Sequence, residues 1–188
     1  TNGDDKISLY ETSDEFDALA GNDTIYAMGG DDVVYAGAGR DSVDASFGND
    51  TLAGGLDSDV LKGYEGSDTY LFNLGDGHDW LYEERSYWGW VNPDVPSRAG
   101  EIDRIKFGAG ITQSDIGFSR DGSNLIIRVK SDNDAITVAN YFYIGTGDSV
   151  NIDYRIEEIE FSNGAVWKKS DIESRLPATQ ADTLTGTT

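Results

Sequence analysis

Aspartate recurs every nine residues through the first part of the chain, at Asp5, Asp14, Asp23, Asp32, Asp41, Asp50, Asp59 and Asp68. Two residues after each stands an apolar or aromatic side chain: Ile7, Phe16, Ile25, Val34, Val43, Leu52, Leu61 and Tyr70. Two residues before most of them stands glycine: Gly3, Gly21, Gly30, Gly39, Gly48 and Gly66. A ninth unit, Gly77-His78-Asp79-Trp80-Leu81, follows after a slip of two residues. A disordered Gly/Asp-rich linker explains such a composition but not its phase. A fixed period of this kind builds a solenoid, each unit burying its apolar residue only against its neighbours.

The period has a direct reading. Three residues such as Thr24-Ile25-Tyr26 form a strand that turns one side chain inward. The other six make a turn, where glycine allows positive φ and close backbone packing. Two turns and two strands close one coil of 18 residues, and coils stack about 4.8 Å apart. The aspartates then fall into two columns, Asp5–Asp23–Asp41–Asp59 and Asp14–Asp32–Asp50–Asp68. Neighbouring carboxylates at strand spacing repel by about 1 kcal/mol in water and by several at a protein-like dielectric. A divalent cation between the turns reverses the sign. The donors are carboxylates and turn carbonyls, an adaptable all-oxygen set that suits calcium better than magnesium. One histidine and no cysteine argue against zinc or copper.

Charge supports this reading. The net charge is −21. Residues 1–82 carry 18 acidic against 3 basic side chains, and residues 83–188 carry 17 against 11. Such a surface repels nucleic acid and anionic lipid. No apolar run approaches the length of a transmembrane span. No amino-terminal secretion signal is visible, so export would use a signal outside this segment. The zincin, nucleophile-elbow, P-loop and dinucleotide motifs are all missing, which argues against an enzyme. His78 reads as an exposed turn residue. The carboxylates follow the repeat rather than a cleft, so a glycosidase pair is the poorer account.

The stretches Ala20-Gly21-Asn22-Asp23-Thr24-Ile25 and Phe47-Gly48-Asn49-Asp50-Thr51-Leu52 resemble the haemolysin-type calcium-binding repeats of RTX (repeats-in-toxin) proteins. The resemblance implies a parallel β-roll in which aspartates and turn carbonyls from coils 18 residues apart share calcium. It also implies export as an unfolded chain through type I secretion machinery to the medium or the bacterial cell surface. The ligands it implies are Asp5, Asp14, Asp23, Asp32, Asp41, Asp50, Asp59, Asp68 and Asp79. Carbonyls near Gly21, Gly29, Gly30, Gly37, Gly39, Gly48, Gly54, Gly55, Gly63 and Gly66 complete the set. Six ions are expected, one per stacked pair. A seventh, between Asp59 and Asp79, requires a bulge to absorb the slip. Thr12, Leu9-Tyr10 and Asp57 depart from the glycine pattern.

Beyond residue 82 the pattern is that of ordinary β-strands, expected near Asp103–Phe107, Ile116–Arg120, Asn124–Lys130, Ala135–Ala139, Tyr154–Phe161 and Val166–Lys168. Asp121-Gly122 and Asn163-Gly164 signal hairpins. Ser170-Asp171-Ile172-Glu173 reads as a capping box opening a short helix. The run from Asp103 to Ile111, with Asp121-Gly122-Ser123-Asn124-Leu125 and Ile156–Phe161, resembles the haemolysin-related domain that follows many RTX arrays. The expected fold is therefore all-β: a calcium-bound roll over 1–82, a β-rich capping unit over 83–176, and a tail over 177–188. Tyr70, Phe72, Trp80 and Tyr82 are placed for the interface with the cap. In the loop Arg85–Gly100, Trp88 and Trp90 either fold back on the cap or form an aromatic platform for a carbohydrate or protein, as in an adhesin or extracellular enzyme. Ala181-Asp182-Thr183-Leu184-Thr185-Gly186 looks like the start of another repeat, and Thr1-Asn2-Gly3-Asp4-Asp5 enters mid-repeat. Both ends thus look cut from a longer protein with flanking domains, such as a toxin or adhesin.

Overall fold

The computed structural model describes residues 1–83, 100–130, 133–143 and 155–176. Trp88, Trp90 and the tail from residue 177 lie outside these. Short strands alternate between two sheets: β1 Lys6–Ser8, β2 Glu15–Asp17, β3 Thr24–Tyr26, β4 Val33–Ala38, β5 Ser42–Asp44, β6 Thr51–Leu56, β7 Val60–Lys62, β8 Thr69–Phe72 and β9 His78–Tyr82. The odd strands run in the order β1-β3-β5-β7-β9 and the even strands in the order β2-β4-β6-β8, all parallel. Up to β8 each residue pairs with the one 18 positions on, as Ile25 does with Val43 and Val34 with Leu52, and β7 pairs with β9 at 20 positions. This is the expected parallel β-roll.

The inward side chains are those of the nine-residue clock. Ile25, Val34, Val43, Leu52, Leu61 and Tyr70 are fully buried, whereas Ile7 and Phe16 in the first coil are half-buried. A second column lies under the turns. Ala18, Ala27, Ala36 and Ala45, each five residues before a repeat aspartate, are fully buried. Gly54 and Gly63 take the same place farther on. At Gly54 even a Cβ would run into the Asp59 carboxylate.

The sheets continue past Tyr82. The second half supplies β10 Arg104–Phe107, β11 Ile116–Asp121, β12 Asn124–Val129, β13 Asp134–Val138, β14 Glu158–Glu160 and β15 Val166–Lys168. β10 pairs in parallel with β8, matching Ile105 to Tyr70, and β14 pairs in parallel with β10. β13 pairs in parallel with β9, and β12 and β11 follow antiparallel. Phe72 meets Phe107 edge-on, and Phe107 meets Phe161, so one apolar core runs through both halves. Trp80 and Tyr82, expected at that interface, instead stack with His78 on the outer face of β9, because alternation sends Asp79 and Leu81 inward.

Both hairpins form, with Gly122 and Gly164 at φ 59° and 81°. Of the strand expected over Tyr154–Phe161, the segment Glu158–Glu160 is strand, and Tyr154 lies outside the described residues. The helix α1, Lys169–Ser174, starts earlier than a cap at Ser170 would place it. The carboxylate that closes its first turn is Asp171, accepting the Lys168 N–H at 3.0 Å, rather than Glu173. The two-residue slip is absorbed in the turn between β8 and β9, not in a bulge, since Val60 still pairs with Trp80.

The turns stack closely. Gly48, at φ 139°, lies over the carbonyl of Gly30, and a Cβ there would overlap that oxygen. Leu19 holds φ 80° with an exposed side chain, a backbone state that glycine adopts without strain. Gly48→Ala is expected to destabilise the fold in calcium by about 2–4 kcal/mol, and Leu19→Gly to leave it unchanged or about 1 kcal/mol more stable. Thermal melts compare them. A Gly48→Ala variant as stable as the parent would contradict this stacking.

Candidate metal centre

Each of the first eight repeat aspartates sits just before its strand, and Asp79 is the second residue of β9, so the parallel register stacks the carboxylates. In one column Asp5 N–H donates to Asp23 Oδ1 at 2.7 Å, Asp23 to Asp41 at 2.7 Å, and Asp41 to Asp59 at 2.8 Å. Asp59 N–H then reaches Asp79 Oδ1 at 3.0 Å, which brings the ninth unit into line. In the other column Asp14 donates to Asp32, Asp32 to Asp50 and Asp50 to Asp68, each at 2.8 Å. Asp23, Asp32, Asp41, Asp50, Asp59, Asp68 and Asp79 are buried, while Asp5 and Asp14 at the first coil are half-buried.

These contacts use one oxygen of each carboxylate. The other, Oδ2, is buried without a hydrogen-bond partner in Asp23, Asp32, Asp41, Asp50 and Asp59. A buried anionic oxygen without a partner costs several kcal/mol. Backbone carbonyls also stack from coil to coil. Those of Gly21, Gly30, Gly37 and Gly48 point at the glycine of the next coil, as do those of Leu19 and Asp57, which the glycine pattern does not single out. Gly54 and Gly63 contribute room for the carboxylate of their own turn. Orphaned carboxylate oxygens and stacked backbone carbonyls make an all-oxygen donor set of the kind calcium takes, with 6–8 oxygen ligands.

Burial drives the titration. It pushes Asp50 and Asp59 up to about 7 and Asp79 to about 8, and the preceding carboxylate in each column adds to the rise. The N–H contact to that same residue works the other way. Asp32 and Asp41 are raised for the same reasons. With folded values above the unfolded ones, the ion-free roll is favoured in acid and loses that support as pH climbs through 7 and 8. A cation must displace those protons, so it binds more tightly as pH rises. The unfolded chain carries no such protons above about pH 5, so the calcium needed for half-maximal folding is expected to change by less than about threefold between pH 6 and pH 8. A midpoint that rises tenfold or more on going to pH 6 would show instead that the ion-free chain is already folded and protonated at these aspartates.

Two further ladders were not anticipated. The residue before each repeat aspartate is usually short and polar, and its side chain accepts the N–H of its counterpart one coil on. Asn22 donates to Asp4 at 2.8 Å, Asp31 to Ser13 at 3.0 Å, Asn49 to Asp31 at 2.8 Å, and Ser67 to Asn49 at 3.0 Å. The run Asp4, Ser13, Asn22, Asp31, Asn49, Ser58, Ser67 carries this signal at the same nine-residue phase. The second ladder leaves the repeats. Asp68 N–H donates to Asp103 Oδ1 at 3.0 Å, and Asp103 N–H to Glu157 Oε2 at 2.9 Å. Asp103 and Glu157 thus take the places of later repeat aspartates. One oxygen each of Asp68, Glu83 and Asp103, all buried, lies within 4.8 Å of the others, and the Tyr70 hydroxyl donates to Glu83. His78 is exposed at the start of β9, its Nε2 2.8 Å from Thr137 Oγ1.

Comparison with known proteins agrees with this geometry. The profile of the RTX calcium-binding nonapeptide repeat (4 copies) matches residues 10–43 and 44–81. That of the haemolysin-type calcium binding protein related domain matches residues 124–171. The iron-regulated protein FrpA of Neisseria meningitidis serogroup C is 38% identical over 99 residues, which is 52% of this chain and 7% of that relative. The chain therefore spans a small fraction of the curated relative it matches.

Proposed function

From a chain that belongs to the RTX calcium-binding repeat proteins, with repeats over residues 10–81 and the haemolysin-related domain over 124–171, we propose a module that folds when calcium binds. The chain is exported unfolded by type I secretion machinery, meets calcium outside the cell, and winds into the roll while the second half caps its last coil. Asp5, Asp14, Asp23, Asp32, Asp41, Asp50, Asp59, Asp68 and Asp79 are the carboxylate ligands, with turn carbonyls beside them. The observation that carries this reading is the row of buried Oδ2 atoms without partners at successive coils. Calcium supplies the counter-charge at those oxygens, and the protein supplies their spacing and exclusion of water. The role is structural, ordering the flanking domains of a longer secreted or surface-bound chain.

Counting bound ions tests the stoichiometry. Protein equilibrated in millimolar calcium and freed of unbound ion is expected to hold six ions, one between each stacked pair. A seventh lies between Asp59 and Asp79, whose register is intact. Fewer than four at saturation would overturn the coil-by-coil site.

A further inference from the structure

One outer face of the roll has an uncharged centre, in a chain whose net charge is −21. Strands β2, β4, β6, β8 and β10 lie side by side in that order. Their inward residues are Phe16, Val34, Leu52, Tyr70 and Ile105, so alternation turns the residues on either side of these outward. On the three central strands the outward residues are Val33 and Tyr35, Thr51 and Ala53, and Thr69 and Leu71. None is charged; Tyr35 is 40% exposed and the other five are half-buried. Register aligns them in two rows, Val33–Thr51–Thr69 and Tyr35–Ala53–Leu71. Each row has an acid on β2 at one end and a base on β10 at the other. The first runs from Glu15 to Arg104, the second from Asp17 to Lys106. The outer face of the other sheet has no such patch, since Asp44 and Lys62 stand at its centre.

A mainly apolar patch rimmed by charge marks a surface that another protein covers. This one is also complementary to itself. A two-fold axis along β6, in the plane of contact, lays β2 of one copy over β10 of the other and β4 over β8. Glu15 then meets Arg104 across the contact and Asp17 meets Lys106, while Val33 meets Thr69 and Tyr35 meets Leu71. Thr51 and Ala53 meet their own counterparts on the axis. A two-fold axis across the strands would put acid on acid, so charge selects the first arrangement. We propose that this face joins two copies of the chain, sheet on sheet. Sheets packed in this way lie about 10 Å apart with their strands within about 30°. Arg104 and Lys106 already pair with Glu158 and Glu160, at 2.6 Å and 3.3 Å, so the added charges set the register more than the strength. A contact of this width buries on the order of 1,000 Å² in total, at the weak end of specific interfaces. The proposal rests on the calcium reading of the roll, because the face exists only where the coils are wound.

Sedimentation of the whole chain in millimolar calcium tests it. The parent is expected to show a reversible monomer–dimer equilibrium between about 10 μM and 1 mM protein, the range of a weak interface. Ala53→Arg sets like charges against each other on the axis, yet points to solvent in the single copy. It is expected to weaken the dimer by about tenfold or more, with the calcium midpoint and β-sheet circular dichroism of the parent. Ser8→Arg, exposed on the outer face of the other sheet, is the control and should dimerise as the parent does. Should Ala53→Arg fail to fold in saturating calcium, Tyr35→Lys, which sets a charge against Leu71, decides in its place. A folded parent that stays monomeric throughout the range overturns the dimer face. So does a folded Ala53→Arg or Tyr35→Lys that dimerises like the parent. Circular dichroism of the same parent sample in EDTA and in calcium tests the calcium reading by itself, so the two failures are told apart.

Discussion

Stripping calcium with EDTA is expected to unfold residues 1–83, and millimolar calcium to restore a β-rich circular dichroism spectrum, while equal magnesium does far less. The columns supply the reason. Adjacent rungs lie one strand spacing apart, and each carboxylate pair then repels by about 3 kcal/mol at an effective dielectric of 20. Each three-residue strand offers mainly one inward side chain against this, worth about 1.5–3 kcal/mol when buried. Partial protonation of Asp50 and Asp59 relieves some of the repulsion but supplies no partner for their buried Oδ2 atoms. Calcium changes the balance at every rung, and because coils touch only their neighbours the transition should be cooperative along the stack. Magnesium holds its waters and demands octahedral geometry, which a slot of carbonyls and carboxylates does not provide. A spectrum in EDTA identical to that in calcium would sink the mechanism.

Ending the chain after Tyr82 is expected to raise the calcium midpoint several-fold, or to abolish folding, although every repeat aspartate is kept. The structure names what is lost. β8 loses its pairing with β10 and β9 loses β13, which frees two strand edges at once. Tyr70 and Leu81, fully buried in the whole chain, lose Ile105 and Val138 from beside them. Asp68 loses the rung contact to Asp103, and the Tyr70 hydroxyl loses Glu83. In a one-dimensional stack a missing terminal interface weakens every site through shared folding. Trp80→Ala in the intact chain should act in the same direction but weakly, because Trp80 lies on the outer face between His78 and Tyr82. A truncated array with the midpoint and cooperativity of the parent would remove the capping role, and the second half would then be an independent unit.

The roll was legible because its period is written in the sequence itself. Aspartate, apolar residue and glycine keep one phase, and that phase alone specifies parallel pairing at 18 residues, the two columns and the inward side chains. The alanine column under the turns and the short polar residue before each aspartate share the phase. Alanine and serine carry little signal of their own in a chain rich in aspartate and glycine. Asp103 and Glu157 were illegible for a different reason. Asp103 follows Asp68 by 35 positions and Glu157 follows Asp103 by 54, so no period points to them. Their placement comes from β10 pairing in parallel with β8 of the roll and β14 pairing in parallel with β10. The outward turn of Trp80 was in principle available from strand alternation, since Asp79 and Leu81 had to face in.

The winding itself has a mechanical consequence. Each coil advances the axis by only about 4.8 Å, yet 18 extended residues span about 60 Å. Pulled from its first residues, the roll would not stretch like a spring, because its backbone bonds run between coils and break in sets. It would let out chain one coil at a time, from Ile7 and Phe16, which are already half-buried, toward the fully buried coil at Leu61 and Tyr70. Every step would lengthen the molecule by some tens of ångströms. A stack of this kind between two domains is a spooled tether whose reach is set by how many coils hold their ions.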